Sequence, residues 1–354
     1  MKKIILALVL MLMTPCFAVD IDEMSGQMII VGFNGNTVKS KGFKTVLNQV
    51  KNGEIGGVIF FEDNIKNKEE FIKMTSAVKN SGAKYTPFIA IDMEGGIIQR
   101  MNSKNGFKDF KSAKYVAANY NTTQAYAEYF ALAKMLKEAN INYNLAPCVD
   151  LVINKESIIE KKERGYSDNP KVVAEYSEQF IKAHYDNNII TALKHFPGHG
   201  SPTGDTHLGF VDSTSTYTDD ELYPYLQNAN LNPMQTVMIS HLYNKNFDDK
   251  YPASLSFQTI EKFLKVQTDF DGVVITDDLN MGAIEKNFEL DEVISLAVNA
   301  GENILLFSNR QKPDKNLPKK ISLIIKDGLI DGEILSENIV NSYNKIVKLK
   351  ENLK

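Results

Sequence analysis

The sequence predicts an α/β fold, a single (β/α)8 barrel of the TIM type with long loops at one end, and three observations predict it. Eight short β-branched or apolar runs recur along the chain, alternating with longer segments of helix-like spacing. The runs are apolar enough to be buried on both faces, as strands of a parallel sheet are. No Pro/Gly/Ser-rich linker and no repeat of roughly 20 to 50 residues divides the chain. One domain therefore accounts for residues 19–354. An open doubly wound sheet is the alternative, but a count of eight favours closure.

The elements follow in order. Met28–Phe33 and Gly57–Phe61 are the first two expected strands, and Lys68–Ser81 is a helix candidate leading to the third strand, Pro87–Asp92. Thr122–Asn140 and Pro170–Asn187, both rich in Ala, Glu, Lys and Leu, flank the fourth strand, Ile141–Leu151. Ile189–His195 and Thr236–His241 are the fifth and sixth strands, Ser256–Gln267 a helix, and Gly272–Asp277 the seventh strand. The helix Leu290–Gly301 precedes the eighth, Asn303–Phe307. From Asp314 the chain is Lys-rich with periodic Leu and Ile, which predicts a helical closure with a solvated face. Pro197–Asp220, dense in Gly, Ser, Thr and Asp, is too long for a turn and reads as a functional loop or lid.

Composition excludes whole classes. With 354 residues, 43% hydrophobic and 24% charged, the chain can bury a large core and is neither disordered nor polytopic. Its 40 Lys+Arg against 44 Asp+Glu leave a net charge of −4, so no basic face for nucleic acid is expected. Residues 1–18 read as an export signal: Lys2 and Lys3, the apolar run Ile4 to Met13, Pro15, and Ala18 at a cleavage position. That apolar run falls short of the roughly 20 residues a bilayer span needs, so no stable membrane span is expected after cleavage. Cys148 would then be the one mature cysteine, which precludes an intramolecular disulfide.

Barrels build their sites at the C-terminal ends of strands, and four runs end in ionisable residues there. These are Asp92 followed by Met93-Glu94-Gly95-Gly96, Lys194-His195, His241, and Thr276-Asp277-Asp278. Asp277 and Asp278 cannot both face the axis of a regular strand, which assigns one to chemistry and one to support. Lys194 and His195 are expected to split in the same way. The Gly95-Gly96 pair is a tight turn, and His184 lies within a helical run. His195 and His199 lack the helical i, i+4 geometry for zinc because Pro197 intervenes, and no metal or cofactor is expected. In Gly204-Asp205-Thr206-His207 an aspartate two residues before a histidine can orient the imidazole, although from these four residues alone a local Asp-turn with the His exposed is the better reading.

Three motifs in order carry a family resemblance. Lys194-His195-Phe196-Pro197-Gly198-His199-Gly200 with Asp205-Thr206-His207, Ile91-Asp92-Met93-Glu94-Gly95-Gly96 upstream, and Thr276-Asp277-Asp278-Leu279-Asn280-Met281 downstream closely resemble the β-N-acetylhexosaminidases of glycoside hydrolase family 3. The resemblance runs from about Met24 to about Asn309. It implies Asp277 as catalytic nucleophile, His207 as general acid/base with Asp205 as its dyad partner, and Asp92, Arg100, Arg164, Lys194 and His195 as ligands of an N-acetylglucosamine ring. It implies retaining removal of terminal N-acetylglucosamine, and the export signal points to a periplasmic enzyme acting on peptidoglycan-derived glycans or muropeptides. Lys194 and Arg164, if they converge there, are expected to favour the Asp277 charge.

This chain departs from the family pattern at Ile97, where a basic residue is usual, in the Lys161-Lys162-Glu163 run before Arg164, and after His207, where Leu208-Gly209-Phe210-Val211 lacks a common proline. Two other readings stand beside this one: a metal-dependent barrel hydrolase using the histidines and Asp277, and an amino-sugar-binding protein without turnover.

Overall fold

The computed structural model describes residues 20–353, so the expected export signal lies outside the described residues. Eight parallel strands form the core: β1 Ile29–Val31, β2 Gly57–Phe60, β3 Phe88–Ile91, β4 Tyr143–Asn144, β5 Ile190–Phe196, β6 Gln235–Ile239, β7 Val273–Thr276 and β8 Leu305–Phe307. Every residue of these strands is buried, as a sheet covered by helices outside and packed side chains inside requires.

The sheet runs β8-β1-β2-β3-β4-β5-β6-β7. It closes through a parallel bridge between Ile275 and Ile304, where Thr276 N–H donates to the Ile304 carbonyl at 3.0 Å. The barrel expected from eight runs is thus the observed one. Close packing of backbone explains glycines at two strand entries: a Cβ on Gly57 would sit 2.5 Å from the Phe88 Cβ, and one on Gly56 2.3 Å from the Gln27 carbonyl oxygen.

Helices Lys68–Lys79, Thr122–Glu138, Pro170–Tyr185 and Leu290–Ala300 occupy the expected segments. Asn67, Asn121 and Asn169 accept the first-turn N–H groups of the first three. Three expectations need correction. The fourth strand is two residues long, because Pro147 carries no N–H for the ladder and the chain turns away before Cys148 bridges back to Lys194. Ser256–Gln267 is not one regular helix: Gln258–Leu264 is wound as a π-helix and Lys265–Thr268 as α, ending on Asp269 in the left-handed region at φ 53°. The closure from Asp314 is two helices, Leu317–Asp331 and Ser336–Glu351, broken at Gly332 with φ 76°.

The last helix covers the N-terminal end of the barrel. Ile339, Ile346 and Leu349 face the core, and buried Lys350 donates to Gln27 Oε1 and the Gly56 carbonyl, both at 2.7 Å. None of the described helices is long and apolar enough to cross a membrane.

Candidate active site

At the opposite end of the barrel lies a pocket of about 260 Å³ lined by Asp92, Arg100, Lys162, Arg164, Lys194, His195, His207, Asp277 and Asp278, with Phe61, Ile98 and Met238 among its apolar walls. Seven of the eight residues proposed from the sequence line it. The eighth, Asp205, sits behind His207: its Oδ1 accepts the His207 backbone N–H at 3.0 Å and the Nδ1–H at 2.8 Å. A pocket this size suits one sugar ring.

Four strand ends supply the polar floor. Asp92 ends β3, and the chain then doubles back in a hairpin, Met93–Gly95 against Ile98–Gln99, turning on Gly95 and Gly96 at φ 97° and 60°. That turn brings Arg100 to within 3.2 Å of Asp92. Lys194 Nζ donates to Asp92 at 2.9 Å and to Glu94 at 2.8 Å, and Arg164 grips Glu94 with Nε at 2.9 Å and Nη2 at 2.7 Å. Burial pushes the Glu94 carboxyl up, but Arg164 and Lys194 outweigh it and hold it at about 2. The same contest leaves Asp92 well below the usual carboxylate range, with Lys194 and Arg100 as its counter-charges.

Lys194 and His195 do not split between faces as expected. Both line the pocket, because pairing of β5 with β6 shifts register between Leu193 and Phe196 and the simple alternation is lost there. His195 is aimed by Asp150, which no sequence argument had singled out. Asp150 Oδ2 accepts the His195 Nδ1–H at 2.7 Å and the Cys148 thiol at 3.2 Å, while Oδ1 accepts the backbone N–H of His195 at 3.1 Å and of His199 at 2.8 Å. His195 Nε2 is left to accept from Arg164 Nη2 at 3.2 Å. Asp150 follows an apolar run as Asp92 does, so the rule used for the other strand ends would have found it. Glu94 lay inside a quoted motif, and its pairing with a residue 70 positions away could only come from the fold.

Cys148, Asp150 and His195 form the one cluster of potential metal-ligating groups among the described residues. Its donor set fits a metal poorly. Asp150 already accepts from four donors, and burial pushes the Cys148 thiol well above its ordinary value, which keeps it protonated.

Asp277 and Asp278 both line the pocket, so they do not split between faces as expected, but they are engaged differently. The Asp278 carboxylate accepts the N–H of Ser308 at 2.8 Å and of Asn280 at 3.0 Å, joining the ends of β7 and β8. Among the described residues Asp277 accepts only its neighbour's N–H, from Asp278 at 2.8 Å, and it lines the pocket. Burial pushes the Asp277 carboxyl up, but the imidazoles of His195, His241 and His207 outweigh it and the group stays below its ordinary value. Lys194 and Arg164, expected to do this, are engaged by Asp92 and Glu94 instead. His241 is a buttress: Nε2–H donates to the Asp278 carbonyl at 2.9 Å and Nδ1 accepts from Ser254 at 2.7 Å. Burial lowers its basicity, as it does for His199, held at about 4 by burial and by His195. His184 lies in the helix Pro170–Tyr185 as expected, fully buried against Phe180, and burial holds it at about 3.

The Pro197–Asp220 segment is irregular as expected until a short 3-10 turn at Asp219–Leu222, and it is docked over the pocket. Gly282 N–H donates to the His207 carbonyl at 3.2 Å, Ala283 N–H to Thr206 at 3.1 Å, and Lys286 Nζ to Leu208 at 2.9 Å. The His207 side chain itself is 65% exposed. Its ring thus reaches the pocket from a solvent-facing loop while its backbone is pinned to the turn after β7.

Residues 20–349 match the family model described as the glycosyl hydrolase family 3 N terminal domain. The chain belongs to glycosyl hydrolase family 3. Among its relatives in that family, Beta-hexosaminidase A of Pseudoalteromonas piscicida is 30% identical over 323 residues, covering 85% of this chain and 54% of that protein, so the chain spans about half of it. A Beta-hexosaminidase of Photobacterium profundum is 31% identical over 267 residues, covering 74% of this chain and 77% of the relative. The solved family 3 beta-N-acetylglucosaminidase from Paenibacillus sp. str. FPU-7 superposes with a TM-score of 0.86 at 26% identity, covering 95% of this family 3 chain and 63% of that structure.

Proposed function

We propose that this chain is a retaining exo-β-N-acetylglucosaminidase that releases terminal non-reducing N-acetylglucosamine from exported, peptidoglycan-derived glycans, most naturally in a periplasm. One observation carries the reading: Asp277, a carboxylate that among the described residues has no Lys or Arg ion-pair partner, and His207, an aspartate-held imidazole on a loop docked at the turn that follows Asp277, line the same sugar-sized pocket. Double displacement needs that pair, with histidine in place of the more common second carboxyl.

In the first step an Asp277 carboxylate oxygen bonds to the anomeric carbon as the bond from that carbon to the leaving oxygen breaks. The Nε2–H of His207 protonates the leaving oxygen. In the second step neutral His207 takes a proton from water, the water oxygen attacks the anomeric carbon, and the ester to Asp277 breaks. Asp205 keeps the His207 Nδ1 protonated and its ring aimed; burial raises the Asp205 carboxyl, but hydrogen bonds from His207 and the nearby Lys162 bring it below its ordinary value, so it stays an acceptor. Asp92, Arg100, Lys194, Arg164 and His195 form the polar floor against which ring hydroxyls are held.

The test is hydrolysis of a chromogenic β-N-acetylglucosaminide by wild type, Asp277→Asn and His207→Ala. Wild-type turnover, a loss of at least about a thousandfold in Asp277→Asn, and partial recovery of His207→Ala with a leaving group that needs no proton are expected. Undiminished turnover in Asp277→Asn overturns the mechanism. Saturable sugar binding without any wild-type turnover overturns the enzymatic reading in favour of a binding protein.

A further inference from the structure

We infer that His199 is a positioning residue for the acid/base step, latching through the Thr206 hydroxyl the loop that presents His207. The inference rests on the proposed glycosidase reading and adds to it a residue that does not line the pocket.

The surroundings of His199 make it a fixed post. Its backbone N–H donates to Asp150 Oδ1 at 2.8 Å, and the same carboxylate holds the His195 ring at 2.7 Å. One residue on, the chain presses so closely against its neighbour that a Cβ on Gly200 would sit 1.6 Å from the Leu151 carbonyl oxygen. Asn154 N–H donates to the Gly200 carbonyl at 3.2 Å. The ring itself is buried and has one polar contact, Nε2 to Thr206 Oγ1 at 3.3 Å, while Nδ1 has no hydrogen-bond partner among the described residues. Burial and His195 hold its basicity at about 4, so near neutral pH the ring carries one N–H. On Nδ1 that proton would be a buried donor without an acceptor; on Nε2 it is donated to Thr206.

Thr206 lies between the two members of the dyad. It is buried where its neighbour His207 is exposed, and its carbonyl accepts from Ala283 N–H at 3.1 Å. The loop has no helix or strand here, so the direction of the His207 ring follows from what fixes Thr206: backbone bonds to the turn after β7 on one side and the His199 ring on the other. Losing the latch would leave the dyad itself intact, because Asp205 holds His207 by contacts made within the loop. The pair would instead shift as a unit relative to Asp277. A general acid must come within about 3 Å of the leaving oxygen, so the shift weakens protonation, whereas attack by Asp277 needs nothing from the loop. The latch therefore matters in proportion to how much the leaving group needs a proton.

The experiment compares kcat/KM for two aryl β-N-acetylglucosaminides, a phenyl glycoside, whose leaving oxygen needs a proton, and a dinitrophenyl glycoside, which departs as the anion. Thr206→Val and His199→Leu are each expected to lower the phenyl value about tenfold and to leave the dinitrophenyl value within about twofold of wild type. The double variant is expected to lose no more than either single one, because both remove the same bond. His199→Gln, whose amide N–H reaches toward the place of Nε2, is expected to recover most of the phenyl value. Thr206→Val exchanges one hydroxyl for a methyl and keeps the test decisive should His199→Leu fail to fold. Losses that fall equally on both substrates overturn the inference, since they would make His199 a support of the fold alone. Unaltered phenyl values, or additive losses in the double variant, overturn it as well. Absence of wild-type turnover on both substrates would overturn the proposed function and the latch with it.

Discussion

Single residues in this site are set by what surrounds them rather than by their type. Five carboxylates sit in one region with different fates. Asp92 and Glu94 are held ionised by cations, Asp150 is spent on four donors, Asp278 ties two strand ends together, and Asp277 lines the pocket engaged only by the N–H of Asp278 among the described residues. Glu221 is a sixth case. It packs beneath Gly198 and among the described residues has no ion-pair partner, so burial, with a smaller push from Asp150, raises its carboxyl to about 7. Its folded value lies above the roughly 4.3 of an unfolded chain, so its ionisation favours unfolding, and the native state loses stability as pH rises between those values. Glu221→Gln is therefore expected to match wild type in urea denaturation near pH 4 and to exceed it at pH 8, by on the order of 3 kcal/mol. An equal offset at both pH values would show that Glu221 does not hold that proton.

Among the elements, the loop carrying His207 shows how an irregular segment is positioned without secondary structure of its own. Its backbone carbonyls at Thr206 and His207 accept from Ala283 and Gly282, at the turn that follows Asp277. The acid/base candidate is thereby tied to the same turn as the nucleophile candidate. Gly282 is needed for that approach: a Cβ there would lie 2.8 Å from the His207 carbonyl oxygen and 3.0 Å from that of Leu208. Gly282→Ala is expected to push the loop off and lower kcat on a chromogenic N-acetylglucosaminide by about tenfold or more, while the thermal midpoint moves little because the loop contributes few buried apolar groups. A kcat within twofold of wild type would show that the docking does not matter to turnover. The expectation of a lid over Pro197–Asp220 was legible from composition and length. The place where it docks was not, since most of the bonds are backbone to backbone and only Gly282, whose lack of a Cβ permits the approach, and Lys286 leave a trace in the sequence.

For the whole molecule, the barrel is closed at one end by chemistry-bearing loops and at the other by the last helix. Ile339, Ile346 and Leu349 of Ser336–Glu351 are at most 3% exposed. Fully burying such side chains contributes about 1.5–3 kcal/mol each, so the three together rival the about 5–15 kcal/mol that separates folded from unfolded domains. Removing residues 333–354 is expected to abolish cooperative thermal unfolding followed by circular dichroism, not merely to lower its midpoint. A truncated chain with a sharp transition close to that of the full chain would contradict this.

The amino-acid sequence alone determined the barrel, the presence of a long irregular loop and most of the pocket's membership. Strand burial writes itself as apolar runs, and acids at the ends of Pro87–Asp92 and Gly272–Asp277 mark the catalytic rim of such a barrel. Tertiary structure decided who pairs with whom. That Lys194 and Arg164 serve Asp92 and Glu94 instead of Asp277, that Asp150 aims His195, and that both Lys194 and His195 face inward past an irregular register all depend on distances between strands far apart in the chain. Local sequence encodes which face a residue tends to present; the partner that sets its charge and orientation is chosen only when the sheet closes.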